Sequence, residues 1–354
     1  MSNTNILYFH TGKSSFVNKD ITILSEVGAV KVFSFHVNQK WKTPLVLIQQ
    51  KLFILRYLFS TKLFVAQFAG YHSYLPGLFA RLTGKQFIII AGGTDCVSFP
   101  AIGYGNFNKT LLGLFTRISF KLATHVSPKH ETLISYNYTY DKNIPSHQGI
   151  KAFIKNYKTP TTVIPNGYDD TQFYQSTEKK KSSFITVTGG LEFSFQQQLK
   201  GIDLILKVAK EFPECEFTIV GVPTTIKLPI TSANVKTIQP TKNNELQKLY
   251  SEHQFYLQLS MAEGFPNALC EAMLCECVPI VSNVFSMPEI IESSGFILNE
   301  RNDELLKGII DSALSASNED LASKGQLARK IISEKYSLNK RKELLLKLVS
   351  SIIS

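Results

Sequence analysis

The chain has 354 residues, enough for two domains of ordinary size rather than one core. Hydrophobic residues make up 44% and charged residues 19%, a globular composition that excludes a disordered, collagen-like or repeat protein. The formal charge of +10 is divided unevenly: residues 1–175 hold 18 Lys+Arg against 7 Asp+Glu, residues 176–354 hold 20 against 21. The excess on the first half fits an anionic acceptor or membrane surface as well as it fits solvated lysines. Nucleic acid is not expected, because the lysines are scattered and no module signature is present.

In chain order, the start MSNTNILYFH lacks a basic region and a cleavage site. It reads as a strand rather than a signal peptide, with a cytoplasmic protein as the expectation. Further strands are expected at 30–35, 63–68, 87–91, 125–127 and 162–164, then at 184–188, 216–220, 235–238, 255–259 and 278–282. Many are continuously apolar, as buried parallel strands are. The uncharged stretch 63–80 is broken by Gln67, Gly70, His72, Ser73, Pro76 and Gly77, so it is no membrane span. Helix-length segments such as 202–212, 244–253 and 267–275 lie between strands, which implies doubly wound parallel sheets. Residues 41–59 are unusually apolar and carry Lys42, Lys51 and Arg56. A core helix on the first sheet is the favoured reading, a membrane-surface helix the other. The polar stretch 172–183 reads as a linker. The expected domains are therefore 1–175 and 176–337, with a last helix over 338–354 that could pack back on the first domain. The cysteines (Cys96, Cys215, Cys270, Cys275 and Cys277) are odd in number and include no C-x-x-C pair, so neither a disulfide framework nor a zinc site is expected.

Chemistry is written most densely in residues 260–282. A strand runs into a loop holding Glu263, Gly264, Phe265 and Pro266, and a helix starts near Asn267. Proline suits a helix's first turn, and the amides of Asn267, Ala268 and Leu269 then face outward at the positive end of the helix dipole, a ready pyrophosphate site. Glu263 and Glu271 cannot share one helical face but can border one ligand. Upstream, a strand ends in Gly189–Gly190 and Lys200–Gly201 opens a helix, where a lysine can neutralise phosphate.

Taken together, these motifs resemble glycosyltransferase family 4, the retaining enzymes of the GT-B fold, also called glycosyl transferases group 1. The E-x7-E motif of that family is similar to the segment Glu263 to Glu271, its Lys-Gly-x-Asp element to Lys200–Asp203, and its Pro-Asn-Gly turn to Pro165–Gly167. The resemblance implies two Rossmann-like doubly wound parallel-sheet domains facing a central cleft. It implies that the second domain holds a nucleotide-diphosphate sugar, UDP- or GDP-linked, as substrate, with no cofactor and no metal. Glu271 would hold the ribose and Glu263 the transferred sugar. Lys200, Gly190 and the loop from Gly264 through Phe265, Pro266 and Asn267 to Ala268 would serve the sugar and phosphates. The first domain would take a glycan or polyprenyl-linked acceptor in cell-surface polysaccharide biosynthesis, on the inner face of the membrane.

Three departures stand out. The family's Gly-Arg after the first strand of the second domain has only Gly190 here. The first-domain histidine is missing from the segment 90–95, where Asp95 is the polar group placed to serve catalysis or, equally, to cap a turn. Glu276 stands where glycine is usual. The missing arginine and histidine keep open a catalytically impaired nucleotide-sugar-binding protein of the same fold; an epimerase or a phosphorylase fits less well.

Overall fold

The computed structural model describes residues 5–37, 39–189, 191 and 195–353. The chain divides into two compact units. Unit 1 holds residues 1–137, 147–167 and 339–354; unit 2 holds Tyr138–Ser146 and Tyr168–Leu338.

In unit 1 the chain runs β1 (Asn5–His10), α1 (Ser15–Leu24), β2 (Ala29–Ser34), α2 (Thr43–Tyr57), β3 (Thr61–Gln67), α3 (Tyr71–Thr83), β4 (Gln86–Ala91), α4 (Thr110–Leu122) and β5 (His125–Pro128). A two-residue pair, β6 (Tyr136–Asn137) with β7 (His147–Gln148), and the short α5 (Ile150–Phe153) follow. The five strands form a parallel sheet in the order β2-β1-β3-β4-β5. β1, β3 and β4 are buried almost throughout, which explains their unbroken apolar runs; β2 is the half-exposed edge. The segment 162–164 adds no full strand but runs along β5: Thr161 bridges to Val126, and the Thr162 and Ile164 amides donate to the carbonyls of Val126 and Pro128 at 3.1 and 3.0 Å.

Unit 2 runs β8 (Lys180–Val187), α6 (Phe195–Leu199), α7 (Ile202–Val208), β9 (Glu216–Val220), β10 (Val235–Ile238), α8 (Asn243–Glu252), β11 (His253–Gln258), α9 (Asn267–Leu274) and β12 (Val278–Ser282). Then come α10 (Met287–Ile291), β13 (Phe296–Leu298), α11 (Asp303–Leu314) and α12 (Asn318–Lys335); the last helix, α13 (Leu338–Ile353), is part of unit 1 from Asn339 on. Six parallel strands take the order β10-β9-β8-β11-β12-β13. Phe184 of β8 is in register with Phe217 and Phe255, and its ring stacks on theirs at 4.9 and 4.8 Å, a ladder of aromatic rings through the core.

The expected boundary at 175 is displaced. Tyr168 bridges to Ser337, and the ring of Phe173 packs on Tyr250, so the chain is already committed to unit 2 from Tyr168. The linker 172–183 is also shorter than its polarity suggests, since β8 starts at Lys180. Residues 339–354 belong to unit 1, where Arg341 is buried against Asp20: Nε and Nη2 donate to the two carboxylate oxygens at 2.8 Å each, and Nη1 donates to the carbonyls of Ile164 and Pro165. The reading of 41–59 as a helix packed on the first sheet holds on one side only, where Phe53 packs on Phe9 of β1 and Phe33 of β2. Of α2 only Gln50 and Ile54 are buried; the remaining apolar residues are half-buried or face solvent. The sequence is apolar on both sides of this helix, so periodicity could not reveal which side faced the sheet.

Candidate active site

The two carboxylates and the lysine singled out in the sequence all fall in unit 2, Glu263 and Glu271 on the segment that follows the C-terminal end of β11 and Lys200 between α6 and α7. Lys200 follows α6, and Gly201 takes a left-handed conformation (φ +69°) at the N-terminus of α7. A Cβ there would come within 2.2 Å of the Leu259 carbonyl oxygen. Only glycine lets this turn press against the end of β11. The Leu199 carbonyl accepts from the Met261 amide at 2.8 Å, which fixes the register. That approach brings Lys200 Nζ to 2.6 Å from Glu263 Oε1, an ion pair more than two-thirds buried at both side chains.

Three further residues hold this pair, and sequence reasoning missed them. Ser260 Oγ donates to Glu263 Oε1 at 2.9 Å and Gln258 Nε2 at 3.3 Å, while the Tyr256 hydroxyl donates to Gln258 Oε1 at 2.9 Å. Residues 256, 258 and 260 alternate along one strand direction and so share a face. The signal was present as polar residues at every second position of an otherwise apolar run, FYLQLS. Burial pushes the Tyr256 phenol well above its usual range, and the charges of Glu263 and then Glu271 push it further. Both carboxylates of the E-x7-E segment thus bear on one buried tyrosine.

Glu271 lies in α9, one turn in from its start. Pro266 at the N-cap of α9 offers no capping side chain, and the first turn carries no acidic residue. This is the arrangement in which a helix N-terminus receives an anion. The loop leading in is fixed by rings: Phe265 lies parallel to Tyr168 at 6.3 Å and edge-on to Tyr336 at 5.1 Å. The Tyr168 hydroxyl donates to Asn267 Oδ1 at 2.9 Å. Gly264, Phe265 and Pro266 are buried, whereas Asn267 and Ala268 are partly open. Glu276 has φ +59°, a left-handed conformation that explains why glycine suits this place. Gly190 lies outside the described residues.

Asp95 is in unit 1, apart from this cluster. Its carboxylate is buried and accepts from three loop amides: Ala69 at 2.9 Å, and Gly92 and Gly93 at 3.1 Å each. Burial raises its pKa, and the amide bonds oppose that. Asp95 therefore ties together the loops that leave β3 and β4. These loops border a cavity of about 340 Å³ beyond the strand ends, lined by Thr11, Tyr71, His72, Asp95 and Asn106 among others. Open parallel sheets bind ligands at this end. His72 comes from the first turn of α3 rather than from the segment 90–95, where a histidine was sought. Its Nε2 lies 2.7 Å from the Gln67 carbonyl, and burial pulls its pKa down to about 4. Lys129, just past β5, is also buried. Its Nζ sits 3.7 Å from the ring centre of Phe16 and 5.4 Å from that of Phe68, and burial lowers its pKa to about 7. Among the described residues, no group of three or more His, Cys, Asp or Glu gathers in a metal-binding arrangement, and the five cysteines are buried and form no disulfide.

Comparison with known proteins agrees with this geometry. Residues 170–331 match the family described as glycosyl transferases group 1. The capsular polysaccharide biosynthesis glycosyltransferase CapH of Staphylococcus aureus is 31% identical over 170 residues, which are 45% of this chain and 46% of that protein. The chain thus spans about half the length of that curated relative. Among solved structures, sucrose-phosphate synthase from Thermosynechococcus elongatus superposes with a TM-score of 0.74 at 13% identity, over 98% of both chains. HepE from Anabaena, solved in complex with UDP-glucose, superposes with a TM-score of 0.71 at 15% identity, over 98% of this chain and 99% of that one. At such identities the likeness concerns the fold, which is that of GT-B glycosyltransferases. The chain accordingly has the fold of GT-B glycosyltransferases, and residues 170–331, nearly all in its second unit, match the glycosyl transferases group 1.

Proposed function

We propose that this protein transfers a sugar, with retention, from a UDP- or GDP-linked donor to a glycan or polyprenyl-linked acceptor in the assembly of a cell-surface polysaccharide. The observation that carries the reading is the Lys200–Glu263 pair, held at the end of β11 beside the uncapped start of α9. In this reading the donor lies across that end of the sheet. Glu271 accepts from the ribose hydroxyls, and Glu263 accepts from hydroxyls of the sugar. The α9 amides and Lys200 meet the diphosphate. As the bond from the anomeric carbon to the diphosphate breaks, negative charge grows on the departing oxygen, and a fixed ammonium and fixed amides stabilise it without reorganisation. In the free protein Glu263 holds Lys200 in place, so the lysine is positioned before the donor arrives. This chemistry asks nothing of a metal ion. The name of CapH and the UDP-glucose bound by HepE support the donor class and the polysaccharide role.

The test is a screen of the purified protein against UDP- and GDP-sugars, scored by slow hydrolysis and repeated in EDTA. One donor should be turned over in preference, and EDTA should leave the rate unchanged. Activity lost to EDTA and restored by manganese would overturn the leaving-group assignment. Tight donor binding without turnover would favour the catalytically impaired protein.

A further inference from the structure

The outward side of α2 carries an apolar stripe that nothing in its own unit covers. Trp41, Leu45, Ile48, Leu52, Leu55 and Phe59 follow one another at intervals of four, three, four, three and four residues. At 3.6 residues per turn this spacing keeps Leu45, Ile48, Leu52 and Leu55 on one line along α2, and Trp41 and Phe59 stand in the short 3-10 turns at its two ends. All six are exposed, Trp41 by 69% and Phe59 by 96%. The opposite side attaches α2 to unit 1: Ile54 and Leu58 are buried, and Gln50 Nε2 donates to the His72 carbonyl at 2.6 Å. Helix α2 packs on α3, and α3 on α4; these neighbours add exposed Leu82, Leu111 and Leu114. A soluble surface scatters exposed apolar residues singly, whereas a continuous line of six marks a binding face.

Charge decides what covers it. Lys42, Lys51 and Arg56 flank the stripe, all exposed. From residue 27 to residue 94 the chain holds eight Lys+Arg and no Asp or Glu. Unit 1 as a whole has 21 Lys+Arg against 5 Asp+Glu, and unit 2 has 17 against 23. A second copy seated on α2 would bring an identical stripe with the same cationic border. Paired helices need opposite charges at that border, and this one offers none. An anionic lipid surface supplies both what the stripe lacks and what the border attracts. Aromatic rings at the two ends, Trp41 and Phe59, suit the level of the headgroups. Among the described residues, no helix is long and apolar enough to cross a membrane, so the contact is interfacial.

We infer that α2 lies in the plane of an anionic membrane, with its Trp41-to-Phe59 stripe in the acyl boundary and its lysines and arginine on the headgroups. This docking is independent of the donor site in unit 2.

The protein carries its own reporter, since Trp41 is its one tryptophan. The full chain is titrated with vesicles of phosphatidylcholine, and separately with vesicles of equal parts phosphatidylcholine and phosphatidylglycerol, at low and high salt. Trp41 emission should shift to the blue, and the protein should sediment, with the anionic vesicles only, and less as salt rises. The double variant Ile48→Asp, Leu52→Asp should weaken this binding by roughly tenfold or more. Its thermal midpoint should not fall, because both side chains already face water, and its donor hydrolysis should match that of the parent. Leu45→Ser with Leu55→Ser is the second variant, and should weaken binding in the same direction. The inference is overturned if emission ignores anionic vesicles at low salt, or if both variants bind as the parent does. It is equally overturned if the emission shifts with protein concentration in the absence of lipid and the double variant abolishes that shift, which would make the stripe a self-association face.

Discussion

The two units use the same architecture, a parallel sheet with connecting helices, and spend their residues differently. Unit 2 keeps its large apolar side chains inside. Of the fourteen exposed ones among the described residues, only Tyr174, Ile230 and Leu305 belong to it, although it handles about half the chain. Its polar groups converge on the end of one strand, as the Tyr256–Gln258–Glu263–Lys200 series does. Unit 1 has the opposite habit. It leaves apolar residues outside, on α2 above all, and buries charge inside, as Arg341 with Asp20 and as Lys129. The contrast teaches that a shared fold fixes where a ligand can bind, at the strand ends, and leaves each unit free to place its charge.

The largest effect expected from breaking this contrast lies in unit 1. Arg341→Met leaves the Asp20 carboxylate buried without its two donors, and removing one member of a buried pair costs about 3–5 kcal/mol. Urea unfolding should show that loss, and Asp20→Leu added to Arg341→Met should recover much of it. A loss no greater than that of the exposed Lys207–Asp303 pair, where about 0–1 kcal/mol is expected, would mean that unit 1 does not depend on buried charge.

Next in size is the proposed donor site. Lys200→Ala should lower turnover by about 10²–10³-fold, the usual loss when one preorganised group is taken from a developing anion. Unfolding free energy should change little by comparison, because a partly exposed lysine contributes mainly to the site. A variant that binds the nucleotide diphosphate and turns the donor over as the parent does would take Lys200 out of the mechanism.

That asymmetry also governs what could be read from the sequence. Unit 2 was legible because its chemistry is local: Lys200–Gly201 and Glu263–Glu271 are short motifs whose spacing survives without knowledge of the fold. Their meeting across 63 positions was not legible, since it depends on Gly201 pressing against Leu259. Unit 1 was legible only as alternating strands and helices. Asp95 could be read equally as a catalytic or a turn-capping residue, and the amides of Ala69, Gly92 and Gly93 show that it ties two loops while it lines the cavity. The exposed side of α2 was hidden because Val46, Leu47 and Phe53 on its other flanks are as apolar as the stripe itself. His72 was not singled out because it lies in the first turn of α3, away in sequence from the segment 90–95, and the Asp20–Arg341 pair because its members lie 321 positions apart.

His72 gives the next effect. Its folded pKa of about 4 lies below the ordinary value of 6.5 because burial disfavours the imidazolium. Between those values the unfolded chain binds more protons than the folded one, so stability falls as pH drops from about 6.5 to about 4. The loss should reach about 2–3 kcal/mol at the acid end. Denaturant titrations at neutral pH and near the lower limit should show it in the parent and show less of it in His72→Gln. Equal acid sensitivity in the two would place the titrating group elsewhere.

Lys129 gives the smallest effect, and in another window. Burial lowers its pKa from 10.5 to about 7; the nearby Arg341 charge adds to the drop, while Asp20 and Asp95 oppose it. In the folded protein the amine is therefore half neutral near pH 7, while in the unfolded chain it stays charged up to about pH 10.5. The unfolded state binds more protons throughout that window, so this residue lowers stability at neutral pH, and the deficit shrinks as pH rises from about 7 to about 10.5. The faces of Phe16 and Phe68 offset part of the cost by attracting the ammonium. The distance from 10.5 to about 7 is worth roughly 4 kcal/mol at neutral pH, and the two desolvated ring faces return roughly 1–1.5 kcal/mol each, which leaves a net deficit of about 1–2 kcal/mol. Lys129→Met keeps the length of the side chain and removes the charge, so it should raise the unfolding free energy at pH 7 by that amount. It should also flatten the alkaline rise seen in the parent. A destabilised variant would mean that the ring contacts outweigh the burial of the charge, and that unit 1 keeps Lys129 for its own stability.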